Sequence, residues 1–415
     1  MAEEIRSSGS PPPTSAAPAG PLQGVRVIDL GLSWAGPFAG MILADLGADV
    51  VKIESHHHID ILRWSGAFVD GLRDFERSGY YLACNRGKQS VTLNLKTPRG
   101  RTLLLDLVET ADVVIENFAP RVMSGLGLAP DVLFARNPDL VMLSLSGYGA
   151  TGPDAERAAY GDHLLHASGL AAVTGHPDDP PTKIGTFYGD PVAGLYGATA
   201  VLAALERVVA GGHGEHLEYS QVEGLVSLIP TPIMAVSAGE QIPRRADKSP
   251  TAVPQGFYRC AGEDAWVALS VRNDAEWQRF APVVEWAGPP LETLAERLAA
   301  EPEIDGVIRP WAGSRSPWEV TQACQSAGVA AYPVLSAQGL LLDDHLADRR
   351  FFRWVHRPVT GPGPIPGVSF RMAGESVRVR GPAPLMGEHN HEVLVGLLGL
   401  TPGDVAALAK DGVVD

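Results

Sequence analysis

The stretch "LQGVRVIDLGLSWAGPFAGMILADLGADVVKIES", residues 22–55, decides the fold. Val25, Val27 and Ile28 form a short β-branched run closed by Gly31, which reads as a strand. "AGPFAGMILADLGA" (35–48) follows as a helix of small residues, and "DVVKIES" (49–55) is a second strand. Strand, helix and strand in this order make the βαβ unit from which parallel sheets are built. The pattern recurs. "KQSVTLNLK" (88–96) is a strand, and "TPRGRTLLLDLVETA" (97–111) is a helix with Thr97 as cap and Pro98 at its first position. "DVVIENF" (112–118) is a strand, "RVMSGLGL" (121–128) a short helix, and "LVMLSLSGYG" (140–149) a strand ending in a Gly-bounded loop. The expected class is α/β with a doubly wound sheet.

Further along, "KIGTFYGDPVAGLYGATAVLAALERVV" (183–209) holds a long apolar helix. Val192, Leu195, Thr199, Leu202 and Leu205 recur at its spacing. Asp190 stands between Gly189 and Pro191, where a helix cap and a Pro at the first helical position are expected. A Gly-rich turn, "AGGHGEHLEYS" (210–220), leads into another strand. Residues 237–256 hold no regular period and three prolines, and read as a linker or active-site loop. "FYRCAGEDAWVALSV" (257–271) reads as a hairpin turning at "AGED", followed by helices near 274–302 and 316–327. "VSFRMAGESVRVRGPAPLMGEHNHEVLVGLLGL" (368–400) reads as paired strands and a terminal helix. No 20–50-residue repeat is present, which excludes a solenoid.

The 415 residues are too many for one core and predict two domains. The net charge of −15, without basic clusters, argues against a nucleic-acid surface. No window approaches eighteen uninterrupted apolar residues, so no membrane span is expected. Cys84, Cys260 and Cys324 are too far apart for a disulfide framework or zinc site and suit a reducing, cytoplasmic compartment. Residues 1–21, rich in Pro, Ser and Ala, read as a disordered tail rather than a signal peptide.

Several motifs invite a chemical reading. The run His56, His57, His58 is expected to be a solvated loop, because consecutive residues on a strand point to opposite faces and cannot converge on a metal. Asp162 and His166 are i,i+4 neighbours if 161–167 is helical, and fit either an acid–base pair or a capping Asp beside a hydrogen-bonded His; His163 lies between them. There is no G-x-S-x-G elbow for a hydrolase, and no G-x-G-x-x-G after the first strand for a dinucleotide. A phosphate could still meet the N-terminus of the helix at 35–48.

Seven segments, in order from Pro21 to Leu400, resemble one family, the class III CoA-transferases. They are the opening stretch, "NRGKQSVTLNLKTPRGR", "ADVVIENFAPRVMSGLGL", "NPDLVMLSLSGYGATGP", "GDPVAGLYGATAVLAALE", "AGVAAYPVLS" and "APLMGEHNHEVL". The resemblance implies a Rossmann-like large domain made of the chain's two ends, a smaller α/β domain between them, and an interlocked homodimer. The boundaries expected on that basis are 22–225 for the first part of the large domain and 226–256 for a linker. The small domain would then be 257–332, with 333–415 returning to the large domain. The resemblance implies no permanently bound cofactor: a coenzyme A thioester is the substrate and a carboxylic acid the acceptor. CoA would pass between them through an aspartyl-CoA thioester on the Asp of the family's Gly-Asp motif, here Asp190.

Carried over position by position, the resemblance places CoA against Trp34 and Ala35, Leu93, Asn94 and Lys96, Asn117, Phe118 and Ala119, and Tyr160 and Gly161. Lys96 would meet phosphate. Three basic family positions are Ser55, Gly125 and Ala158 here, with Arg121 and Arg157 as the expected substitutes and Arg63 as a further candidate. The acid that follows the tyrosine in formyl-CoA transferase is Gly161, so its auxiliary role is lost or passes to Asp162. The Gly-rich lid of the formate/oxalate enzyme has no match in 237–256, so formate/oxalate specificity is not expected. Two alternatives accompany this reading. One is an α-methylacyl-CoA racemase, which Tyr160 disfavours because the family has a His there. The other is a weakly active subunit of a heteromeric CoA-transferase.

Overall fold

The computed structural model describes residues 20–372 and 377–414. Most of the expected disordered tail, residues 1–19, lies outside the described residues; Gly20 and Pro21 open an ordered turn. Contacts divide the chain into two compact units. The larger takes residues up to Ala171, then Lys183–Ser237 and Asp348–Asp415; the smaller takes Ala172–Thr182 and Ala238–Ala347.

The larger unit is built on six parallel strands: β1 (Arg26–Asp29), β2 (Asp49–Glu54), β3 (Gln89–Thr92), β4 (Val113–Glu116), β5 (Val141–Ser146) and β6 (Glu215–Ser220). Their order in the sheet is β3-β2-β1-β4-β5-β6. This is the doubly wound order, in which ligands sit at the carboxyl ends of the strands where the winding reverses, here between β1 and β4. Side chains alternate between the faces, and both faces are covered. Ile28, Val51, Val91, Val114 and Met142 pack with Leu103, Leu104 and Leu107 of helix α2 (Pro98–Val108). Val27, Val50, Val113, Ile115, Leu143 and Leu145 pack with two helices, α1 (Ala35–Asp45) and the long helix at 189–209. Each such side chain, once fully buried, contributes about 1.5–3 kcal/mol. Burial on both faces is why the strands read as nearly continuous apolar runs.

Between β5 and β6 lie α3 (Gly161–Ala167) and α4 (Gly189–Val209); α5 (Gln221–Val226) and α6 (Pro230–Ser237) follow β6. By length and mean hydropathy (1.5), α4 could cross a membrane. Here its buried stripe, Ala193, Gly194, Gly197, Ala198, Val201 and Ala204, lies against α1 and the sheet. The close approach needs glycine: a Cβ at Gly194 would sit 2.9 Å from Phe38 Cδ1 and 3.1 Å from Ala35 O.

The chain's end returns to the edge strand β3. His389 N–H donates to Ser90 O, Asn390 exchanges hydrogen bonds with Thr92, and Asn94 N–H donates to Val413 O. These contacts satisfy an edge that would otherwise be open to pairing. The expected paired strands of this region lie earlier than read, at β10 (Phe352–Arg357) and β11 (Gly361–Pro366). Within 368–400 the described residues hold no strand, and 373–376 lie outside the description.

The smaller unit is an antiparallel sheet, β7 (Gln255–Arg259), β8 (Trp266–Ser270) and β9 (Ala330–Pro333), backed by helices at Asp274–Phe280, Glu301–Gly313 and Pro317–Ser326. It is larger than the expected 257–332. Within the predicted 226–256 linker, residues 230–237 form α6 and residues from 238 belong to this unit. The reason is polar anchoring that periodicity cannot reveal. Asp247 accepts from Phe257 N–H, Lys248 pairs with Asp305, Val253 is fully buried, and Arg244 donates to three carbonyls of 172–179.

Candidate functional site

At the carboxyl ends of β1 and β4, the loop Gly31–Trp34 is held by side chains at the backbone of Gly31, Leu32 and Ser33. Gly31 N–H donates to Asp29 (2.8 Å), and Gly31 O accepts from Lys52 Nζ (2.6 Å). Asn117, after β4, reproduces a peptide edge: its Oδ1 accepts from Leu32 N–H (2.8 Å) and its Nδ2 donates to Leu32 O (2.7 Å). Ser33, with φ 60°, is strained backbone for a residue with a side chain, and its N–H donates to Asp60 (2.8 Å). Two ion pairs with fully buried side chains fix the clamps themselves, Lys52–Asp60 at 3.2 Å and Lys88–Asp29 at 2.7 Å. Burial opposes the charge on Lys52, but Asp60, Asp29 and Glu54 outweigh it and hold its pKa above the usual value. Glu116 carries the neighbouring turn, accepting from Phe118 N–H at 2.8 Å.

This rigid loop delivers the first turn of α1 to Asp190. The long helix starts at Gly189, so Asp190 lies inside its first turn and makes no cap; the sequence reading of a cap with Pro191 at the first position is corrected. Asp190 is 9% exposed. Burial pushes its pKa up to about 6, opposed only by the backbone N–H groups of Asp190 itself and of Ala35. Among the described residues, no charged side chain contributes to this shift. Gly161 forms one wall: a Cβ there would lie 2.5 Å from Asp190 Oδ2 and 2.9 Å from Phe187 Cβ. Trp34 lies between Tyr80 (ring centroids 5.1 Å) and Phe187 (5.9 Å). The arrangement is a poorly solvated carboxylate beside a helix N-terminus, with aromatic rings close by. Such a carboxylate is more nucleophilic than one in water, and the nearby N–H groups can stabilise negative charge.

Trp34, Ala35, Gly161 and Asp190 therefore converge, and Asn117 is joined to them through Leu32. Phe118 is partly buried and Ala119 exposed on the same turn. Tyr160 is 62% exposed. Leu93, Asn94 and Lys96 follow β3, two strand spacings or roughly 10 Å from β1. The Leu93 side chain is in the core, and Asn94 Nδ2 donates to Gly412 O, which leaves the exposed Lys96 as the free-standing side chain of the three. Arg121 and Arg157 are exposed and paired with Glu156 and Asp154.

Two expectations are overturned by packing. Arg63 cannot meet phosphate: it is fully buried, with both Glu54 oxygens at 2.7 and 2.8 Å and Glu76 at 2.8 Å. Asp162 and His166 are not an acid–base pair. His166 Nδ1 donates to the Asp162 backbone carbonyl (2.6 Å), while the Asp162 carboxylate takes Lys183 (3.1 Å). At rest, then, the carboxylate to which the resemblance allowed the auxiliary role is engaged by Lys183. His56, His57 and His58 lie in an exposed turn after β2. Sequence reasoning missed Asp29, Lys52, Asp60 and Lys88. Lys52 carried a signal, a basic residue flanked by Val51 and Ile53 inside a strand, where only a paired ion can be buried.

The model of CoA-transferase family III matches residues 22–390. Succinyl-CoA–D-citramalate CoA-transferase of Chloroflexus aurantiacus is 32% identical over 407 residues, 97% of this chain and 100% of that protein. The alpha subunit of succinyl-CoA–L-malate CoA-transferase from the same organism is 33% identical over 401 residues, 95% of this chain and 92% of its own. The crystal structure of a CAIB/BAIF family protein from Brucella suis superposes with a TM-score of 0.83 at 28% identity, over 92% of this chain and 100% of that one.

Proposed function

We propose, on the premise that this chain belongs to CoA-transferase family III, that it moves CoA from an acyl-CoA to a carboxylic acid with Asp190 as the residue that carries it between them. The single observation that carries the reading is the buried Asp190 carboxylate beside Ala35 N–H at the carboxyl edge of the sheet. An Asp190 oxygen attacks the thioester carbonyl, the C–S bond breaks, and CoA leaves as a thiolate with an acyl–aspartyl anhydride behind it. The thiolate then attacks the aspartyl carbonyl, giving aspartyl-CoA thioester and the donor's free carboxylate. The acceptor carboxylate attacks that thioester in turn. The released thiolate closes the cycle on the acceptor's acyl carbon, and Asp190 is a carboxylate again. No net proton is exchanged, so the site needs no general acid.

The chain's own parts serve these steps. The crevice limits water, which competes for both anhydride and thioester. Ala35 N–H, fixed by the clamped loop, faces the carbonyl oxygens that become negative on Asp190. Trp34 and the Asn117–Ala119 turn offer an apolar and polar lining for the pantetheine arm, and Lys96 a cation for phosphate. The relatives named above act on succinyl-CoA, which makes it the first donor to test. Malate and citramalate are the first acceptors.

The same reading puts two copies together. The outer face of α4 exposes Leu195, Tyr196, Leu202 and Val209, and α6 exposes Ile233, Met234 and Val236. Such a patch marks an interface. A second copy is the expected cover, with a related subunit as the alternative. The test is Asp190→Ala. CoA transfer disappears while the molecular mass in solution stays that of the wild type; retained transfer ends the proposal.

A further inference from the structure

Among the described residues, only backbone N–H groups oppose the burial of the Asp190 carboxylate, and no cation is paired with it. A substrate with a second carboxylate would therefore find no partner beside the reacting carbon, and would need one farther out. Lys183 is the candidate for that partner. It opens the segment that runs directly into Asp190, and its ammonium lies 3.1 Å from Asp162 Oδ2. Asp162 directly follows Gly161, whose missing Cβ faces Asp190. The path from Asp190 Oδ2 through Gly161 and Asp162 to that ammonium is at most about 14 Å, since consecutive Cα atoms lie ~3.8 Å apart. The flexible stem of a lysine can leave one carboxylate for another. Both partners are solvated, with side chains 56% and 41% exposed, so the resting pair is cheap to break.

We infer that Lys183 is the specificity-determining residue for a donor or acceptor that carries a second carboxylate. Asp162 holds its ammonium until the distal carboxylate of the bound dicarboxylic thioester takes it over. The inference rests on the transferase reading for the placement of the reacting carbonyl at Asp190. A carboxylate and a CoA phosphate would attract the same ammonium, and the proposal commits to the carboxylate.

The experiment compares succinyl-CoA with butyryl-CoA, equal in carbon count but differing in the distal carboxylate. It uses the full chain and the variants Lys183→Met, Lys183→Arg and Asp162→Asn. Both kcat/KM with a common acceptor and equilibrium binding of the two thioesters and of free CoA are read. The preference for succinyl-CoA falls about tenfold or more in Lys183→Met, the scale of a lost hydrogen bond to a charged group. Lys183→Arg restores part of it, and Asp162→Asn lowers the KM for succinyl-CoA because the competing carboxylate is gone. Equal weakening of both thioesters and of free CoA would identify a phosphate contact and overturn the inference, as would an unchanged preference. If no thioester supports transfer in the wild type, the transferase reading fails by itself, and the binding ratio still decides the role of Lys183.

Discussion

Gly161→Ala tests the geometry of the crevice with one methyl group. Ordinary contact needs about 3.4 Å, whereas the added Cβ would stand 2.5 Å from Asp190 Oδ2 and 2.9 Å from Phe187 Cβ. About 0.9 Å must be found at the carboxylate, the freer of the two partners. Asp190 has little room to yield without leaving Ala35 N–H. A misplacement near 1 Å at a reacting group costs on the order of 100-fold in rate. The expected result is a kcat/KM about two orders of magnitude below wild type with succinyl-CoA and malate. The unfolding midpoint should fall as well, by the equivalent of about 1–3 kcal/mol, because Phe187 Cβ is fixed to its backbone and must also shift. Single-turnover mixing of enzyme with acyl-CoA, followed by release of free donor acid, isolates the Asp190 steps from product release. Activity within threefold of wild type in a folded Gly161→Ala protein would refute the placement of the carboxylate against residue 161.

Other consequences follow from the same groups. With Asp190 titrating at about 6, kcat/KM rises with pH through about 6 and then levels, since only the ionised form attacks. A pH–rate profile flat from 5 to 8 contradicts this. The linked stability has a definite sign. Asp190's folded pKa lies above the unfolded 3.8, so its contribution is fully present below pH 3.8 and is lost as pH rises through about 6. The gap is worth about 3 kcal/mol, so Asp190→Asn stabilises the fold by up to about that much at pH 8 and by nothing below pH 3.8, as read by denaturant unfolding across pH. Asp60→Ala leaves Lys52 buried without its closest carboxylate and Ser33 N–H without an acceptor. It should cost about 3–5 kcal/mol in denaturant unfolding; a loss under 1 kcal/mol removes the clamp from the account.

How far the sequence could be read depended on the kind of interaction. Short β-branched runs such as Val25–Ile28 were legible because burial on both faces makes a strand nearly continuously apolar, and the helix after Thr97 because its cap and period are local. Thr97 does cap its helix, accepting from Gly100 N–H. Asp190 was legible as a special acid, yet its cap role was misjudged, because Gly189 rather than Pro191 begins the helix. The buried pairs Lys52–Asp60 and Lys88–Asp29 span eight and fifty-nine positions, and no local pattern announces a partner at such separations. Arg63 looked like a spare surface cation for the same reason: Glu54 and Glu76, which bury it, are visible only once the chain is folded. The absent acid at Gly161, read as a loss, is instead the space in which the Asp190 carboxylate sits.

The most direct test of the central claim is covalent. Wild-type protein is incubated with succinyl-CoA, quenched with hydroxylamine, digested and examined by peptide mass spectrometry. A hydroxamate is expected on Asp190, dependent on the acyl-CoA and absent from Asp190→Ala. Transfer that proceeds without any label on Asp190, or with the label on another carboxylate such as Asp162 or Glu116, would contradict it.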